Sequence, residues 1–413
     1  MTGETPEVAT AARSPGAETG SGKASPQMAI SINGNIPGGS IDVVDATDPS
    51  NIKLRLVQDV GSMFKAYYHF RAIGVRGIDC TYHLIDAGET LAARLHSHRD
   101  LENRWTNTGP VASYDRRRWF RVPGTFDGQV FTFRHRPDHD ACYYASWAPY
   151  SLQDLHDLLA RAQTSPRVRL SSIGRSAEGA DIDMLTVGSP ASGKKKIWVI
   201  AGQHPSETQS GYFLEGLVGR MLDEHDPVVR RILDLAMVYI VPNMNPDGTK
   251  QARHRTNARG ANLNREWTSP SLERSPEVVH VRTLMERVGV DFCLDCHADA
   301  ELRCNFLGGP LEIPSRSERL RTLFRQFEHG WAAASPDYEV GHPYPGGSPE
   351  TADLTMAWNW IAERFDCLSV LLEQPFKDTS WWQDKVQGWS PERAKRFGAS
   401  LPAAIYAVLD SLR

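Results

Sequence analysis

His204-Pro205-Ser206-Glu207 sets an imidazole and a carboxylate three residues apart. Where a strand gives way to a helix, side chains at i and i+3 can face one point. That donor pair suits a borderline cation such as Zn²⁺. A catalytic zinc takes three protein ligands and keeps a fourth position for water. His297, which ends the run DFCLDCH, can supply the third ligand. Glu373 closes the apolar run CLSVLL. A carboxylate placed there is partly desolvated, which raises its pKa and suits it to proton transfer. Between these lies Asn243–Trp267, too rich in Gly, Asn, Pro and Arg to be core. Long loops in compact domains are usually functional. This one carries Arg253, Arg255, Arg259 and Arg265, whose planar forks can hold a carboxylate by two hydrogen bonds.

Each feature has a plainer reading. An isolated His-x-x-Glu arises often by chance, and a histidine at a strand end is more often a hydrogen-bonded structural residue. An arginine-bearing loop is usually a solvated surface, and a Glu at a strand end is often salt-bridged. The elements around them decide. KIWVIA, AMVYIV, DFCLDC and CLSVLL read as four buried strands, and His204, Asn243–Asp247, His297 and Glu373 stand at their C-terminal ends. Ligands and active sites of open α/β sheets gather at that edge. Helices are predicted over 152–163, from an N-cap at Ser151, and over 208–222, with Ser206 as N-cap. Others are predicted over 276–288, 354–364 and 391–412, the last kinked or broken near Pro402. Residues 149–413 therefore form an α/β catalytic domain with a mixed, mostly parallel sheet flanked by helices.

Residues 29–148 differ. Short β-branched and aromatic runs recur between Gly and Asp-Gly breaks, and no long helical pattern interrupts them, which predicts an antiparallel β-sandwich. This domain either binds a partner or braces the catalytic domain and shapes its rim. Residues 1–28 carry almost nothing to bury and are expected to be a disordered tail. The chain has 413 residues, 40% hydrophobic and 23% charged, with a net charge of −4, so an electrostatic grip on nucleic acid or anionic membrane is not expected. No apolar run approaches the roughly 20 residues of a membrane span, and no secretory signal opens the sequence. Six sparse cysteines do not make a disulfide framework and predict a cytoplasmic location.

Taken in order, HPSE, NPDG…HR…GANLNREW, DCH and LLEQPF resemble the M14 metallocarboxypeptidases, nearest to the cytosolic carboxypeptidase branch and its bacterial relatives. The likeness runs over nearly all of residues 30–413 and includes YYASWAPYS between the two domains. It implies hydrolysis of the C-terminal residue of a peptide or protein. One Zn²⁺ would be held by His204, Glu207 and His297. Glu373 would be the general base, and Arg255 the group that polarises the scissile carbonyl. Asn264 and Arg265 would grip the terminal carboxylate. Acidic last residues, including glutamate chains, are the substrates it suggests. Two departures stand out. Asn262 occupies a position that is acidic in many members and that supports a ligand histidine from outside, so that support is expected from elsewhere. The mobile tyrosine of pancreatic-type enzymes falls by spacing near Thr351, and Tyr344 in HPYPGG is the substitute.

Other readings compete. A zinc amidohydrolase acting on N-acyl amino acids would use the same fold but not the full set Arg255, Asn264 and Arg265. A non-catalytic binding protein would usually have lost a ligand or the base. Gly188–Lys194 begins like a phosphate-binding loop, but Lys195 and a strand follow where Ser or Thr and a helix are needed. Cys293 and Cys296, three apart in a strand, point to opposite faces and read as buried thiols.

Overall fold

The computed structural model describes residues 29–92, 104–341 and 350–413. The expected tail over 1–28 and Tyr344 lie outside the described residues. Two five-stranded sheets enclose one apolar cluster between Ile41 and Tyr144. One sheet runs Ser31–Asn33, His69–Ile73, Ala141–Ala145, Val111–Ser113, Phe120–Arg121. The other runs Asp42–Asp45, Ile52–Arg55, Cys80–Leu84, Phe131–His135, Gly124–Phe126. Tyr82 and Phe133 stack at 4.7 Å in its centre, beside Phe70 and Tyr144. The sandwich is not wholly antiparallel: Ile52–Arg55 pairs parallel with Cys80–Leu84. Between those strands the chain crosses to the other sheet as His69–Ile73 and returns, which frees it from the hairpin constraint.

The second sheet system has seven strands. Its order is Val168–Arg175, Asp181–Val187, Ala236–Val241, Lys195–Ala201, Phe292–Asp299, Leu368–Pro375, Phe306–Gly308. The four strands read from the sequence form a parallel centre, and the flanking pairs are antiparallel. Strands covered on both faces read as unbroken apolar runs, which is why those four were visible. Helices Leu152–Ala162, Gln209–Met221, Glu318–Ala334 and Pro391–Val408 cover one face; Pro276–Val288 and Ala357–Phe365 cover the other. The cysteine pair divides accordingly, Cys296 facing the first cluster and Cys293 the second. All six cysteines are buried and unpaired.

The strand Lys195–Ala201 sits where the order reverses, with the next central strand on one side and the one after it on the other. His204 and Glu207 thus leave the sheet at its switch point. Two local expectations need correction. The helix after HPSE begins at Gln209, not at a Ser206 cap: Thr208 stands at the cap without capping, because its hydroxyl donates to Ala148 O at 2.7 Å, and Ser206 Oγ lies 3.0 Å from His254 Nδ1. The last helix runs unbroken through Pro402 to Val408. Pro402 removes one backbone donor, but Phe397, Leu401, Ala404 and Ile405 are buried in the main core, and that packing outweighs the loss. No helix among the described residues is long and apolar enough to cross a membrane.

Candidate metal centre

Glu207 lies between two imidazoles. His204 Nδ1 is 2.7 Å from one carboxylate oxygen and His297 Nδ1 2.7 Å from the other. The ligand atoms of the three residues all fall within 4.8 Å of one another. His204 and Glu207 come from the turn after Lys195–Ala201. His297 lies inside its strand rather than beyond it, as does Glu373, and the two are directly paired in parallel register.

The far nitrogens are held too. His204 Nε2 donates to Asn262 Oδ1 at 2.9 Å, and His297 Nε2 donates to Asp295 Oδ1 at 3.1 Å. Asn262 therefore supplies the outer support expected from elsewhere, because an amide oxygen accepts that hydrogen bond as a carboxylate does. In the neutral tautomer that donates from Nε2, each ring turns its Nδ1 lone pair toward Glu207. Lone pairs 2.7 Å from carboxylate oxygens repel unless a proton or a metal ion lies between them. Two imidazoles and one carboxylate, each imidazole oriented by an outer acceptor, fit Zn²⁺.

The electrostatics express the same demand. Burial resists charge on Glu207, yet His204 and His297 hold its carboxyl well below the usual range. Burial also opposes charge on His297, but Asp295 and Glu207 together hold it well above its usual value. His204 goes the other way, down to about 4, through burial and the charge of Arg255, because its outer partner is a neutral amide. Asp295 was not singled out from the sequence. Its signal was the i, i+2 spacing to His297, which puts both on one face of a strand. Asp295 is fully buried and is itself fixed by Gln203 Nε2 at 2.8 Å.

A cavity of about 990 Å³ opens over this cluster. Glu373, Arg255, Asn264 and Arg265 all line it, as does Thr351. Glu373 Oε2 and Arg255 Nε are both buried without a hydrogen-bond partner, an acceptor and a donor left for something in the cavity. Burial and then the charge of Glu207 push the Glu373 carboxyl well above the usual range. Asn264 is partly committed: its Oδ1 accepts from Ala357 N at 2.8 Å. Arg265 stands nearer the rim, donating to Asn264 O at 2.7 Å and 3.7 Å from Asp353.

The comparisons with known proteins follow the two sheet systems. The family model for the cytosolic carboxypeptidase N-terminal domain matches residues 32–147, and that for zinc carboxypeptidase matches residues 155–299. A crystal structure of a metallo-carboxypeptidase from Burkholderia cenocepacia superposes with TM-score 0.87 at 39% identity, over 92% of this chain and 100% of that one. A metallo-carboxypeptidase from Pseudomonas aeruginosa, solved with (2-guanidinoethylmercapto)succinic acid, gives TM-score 0.87 at 36% identity, over 93% and 100%. Cytosolic carboxypeptidase 2 of Xenopus tropicalis is 27% identical over 252 residues; these are 54% of this chain but 25% of that protein.

Proposed function

We propose that this chain, which belongs to the M14 family of zinc carboxypeptidases, removes the last residue of peptides or proteins with Glu373 as general base and with one Zn²⁺ held by His204, Glu207 and His297. The observation that carries this reading is the convergence, in one cavity, of that ligand cluster with the unpartnered oxygen of Glu373 and the unpartnered Nε of Arg255. Zinc bound there lowers the pKa of water toward 7 and polarises a carbonyl. Glu373 takes a proton from the attacking water and hands it to the leaving amine. Its environment suits the first step, since burial holds the carboxyl above its usual range and makes it a better proton acceptor than an exposed carboxylate. Arg255 directs its guanidinium to the oxygen on which negative charge develops. Arg265, with Asn264 fixed behind it, receives the terminal carboxylate and so limits cleavage to the chain end.

The resemblance to the cytosolic branch suggests an acidic last residue, glutamate among them. Arg104 is a cation on the same lining, and Glu301, Glu312 and Glu328 lie there too. Six unpaired thiols fit a reducing compartment, and the cytoplasm is the location proposed. The test pairs peptides with free and amidated C-termini, each ending in acidic, basic or apolar residues, with added Zn²⁺. Release of the last residue from free-ended peptides alone is expected, and Arg265→Ala should cut kcat/KM on them by about 100-fold. Equal cleavage of amidated peptides, or an unaffected Arg265→Ala, would sink the exopeptidase reading. Acidic-ended peptides turning over no faster than the others would remove the side-chain preference.

A further inference from the structure

Residues 57–64 leave the sandwich after Ile52–Arg55 and lie against the arginine loop of the catalytic domain. Asp59 is buried at 6% exposure, and both its oxygens are spent across the domain boundary. Oδ1 accepts from His254 N at 2.7 Å. Oδ2 accepts from Arg255 N at 2.6 Å and Thr256 N at 2.9 Å, with the Thr256 hydroxyl at 3.3 Å. Three consecutive amides converging on one carboxylate is the arrangement of an anion bound in a backbone nest. Here the anion is a side chain nearly 200 residues away. Two residues on, Gly61 (φ +69°) meets Gly260 (φ +76°); a Cβ on Gly61 would stand 3.2 Å from the Gly260 Cα. No side chain separates the two backbones at that point. Three residues further, the Phe64 ring lies 5.1 Å from the Arg255 guanidinium, and Phe64 itself lines the cavity.

Backbone and head of Arg255 are thus both held by the other domain. The catalytic domain's own bonds to the 251–262 loop fall on other residues: Gln251 donates to Glu178, Asn257 to Arg274 O and Glu277, Arg259 to Ala177 O, Ser206 meets His254, and Asn262 meets His204. We infer that the sandwich domain completes the active site, with Asp59 and Phe64 acting as positioning residues that set the guanidinium of Arg255 over the reacting carbonyl. Asp59 fixes where the arginine leaves the backbone, and Phe64 fixes which way its planar head faces. Neither touches the ligand cluster. The inference rests on the role proposed for Arg255, and the experiment separates the two.

The full-length zinc-loaded enzyme and the variants Asp59→Asn, Phe64→Leu, Arg255→Ala and both double variants are compared for kcat, KM and zinc content on one free-ended peptide. In Asp59→Asn one oxygen becomes an amide donor facing an amide donor, whichever way the group turns. It should lower kcat by about 10- to 100-fold, with KM changed less than about threefold and full zinc content. Phe64→Leu, at a partly exposed position that does not threaten folding, should lower kcat by about 3- to 10-fold. In the Arg255→Ala background each should add less than about twofold, because the group they position is gone. If Arg255→Ala is impaired while Asp59→Asn and Phe64→Leu turn over normally, the inference fails. It also fails if their losses persist in full beside Arg255→Ala, which would mark general damage. A near-normal Arg255→Ala would instead overturn the role of the arginine. Should Asp59→Asn not fold, the Phe64→Leu pair decides by the same criteria.

Discussion

The ligand cluster and the arginine loop line one cavity but are anchored in different ways. His204, Glu207 and His297 hang from two adjacent strands of the seven-stranded sheet, and their outer partners Asn262, Asp295 and Gln203 belong to the same domain. Arg255 stands on a loop whose amides are held by Asp59, from the sandwich. With the roles proposed above, metal binding would depend on one domain's packing, and charge stabilisation on the contact between two. A substitution can damage one half and spare the other, which is rarely possible when a site is built on a single element.

The sharpest division comes from Glu373, which shares a rung of the sheet with His297 but lies outside the ligand cluster. Glu373→Gln should lower kcat by about 10³-fold or more with zinc content unchanged. Loss of zinc in that variant would merge base and ligands into one unit and blur the division. Next in size is Asp295→Asn. It exchanges a carboxylate for an amide at the Nε2 of His297 and should weaken zinc binding by about 10- to 100-fold in a chelator competition. That is the reverse of the pattern expected for Asp59→Asn, and wild-type zinc affinity in Asp295→Asn would break the comparison. The smallest effect belongs to the sandwich. His69 is buried, donates from Nδ1 to Gly38 O at 3.1 Å, and leaves Nε2 without a partner. Burial holds its pKa down at about 4, from 6.5 in the unfolded chain. The unfolded state then binds more protons between those values. Stability contributed by neutral His69 is complete above about pH 6.5 and is lost as pH falls toward 4, about 1 kcal/mol of it by pH 5.5. Denaturant titrations at pH 7.5 and 5.5 should show a smaller difference in His69→Gln than in the wild type; an equal difference would remove His69 as the cause.

What could be read from the sequence follows the same division. The four central strands are covered on both faces, so they appear as apolar runs, and the polar residues at their ends stand out by contrast. That contrast exposed His204, His297 and Glu373. The outer hairpin Val168–Val187 is half-exposed and mixed in polarity, so its strands carry no apolar run to mark them. Asp295 was hidden by its own setting: between two cysteines it drew attention to the thiols rather than to the face it shares with His297. Asn262 was judged by charge, whereas the geometry uses only its acceptor oxygen. Asp59 left no local trace, because its three shortest bonds are to backbone amides in another domain, and amides carry no residue type.

The pairing of Phe292–Asp299 with Leu368–Pro375 bears on how the site comes into being. His297 and Glu373 are partners across a parallel pair of strands, so their spacing is the interstrand distance of about 4.8 Å. A slip by a single residue would send one of them through to the opposite side of the sheet. Pairing these two strands in frame therefore brings the proposed ligand and base to one side of the sheet together, and a pairing one residue out of frame leaves them on opposite sides.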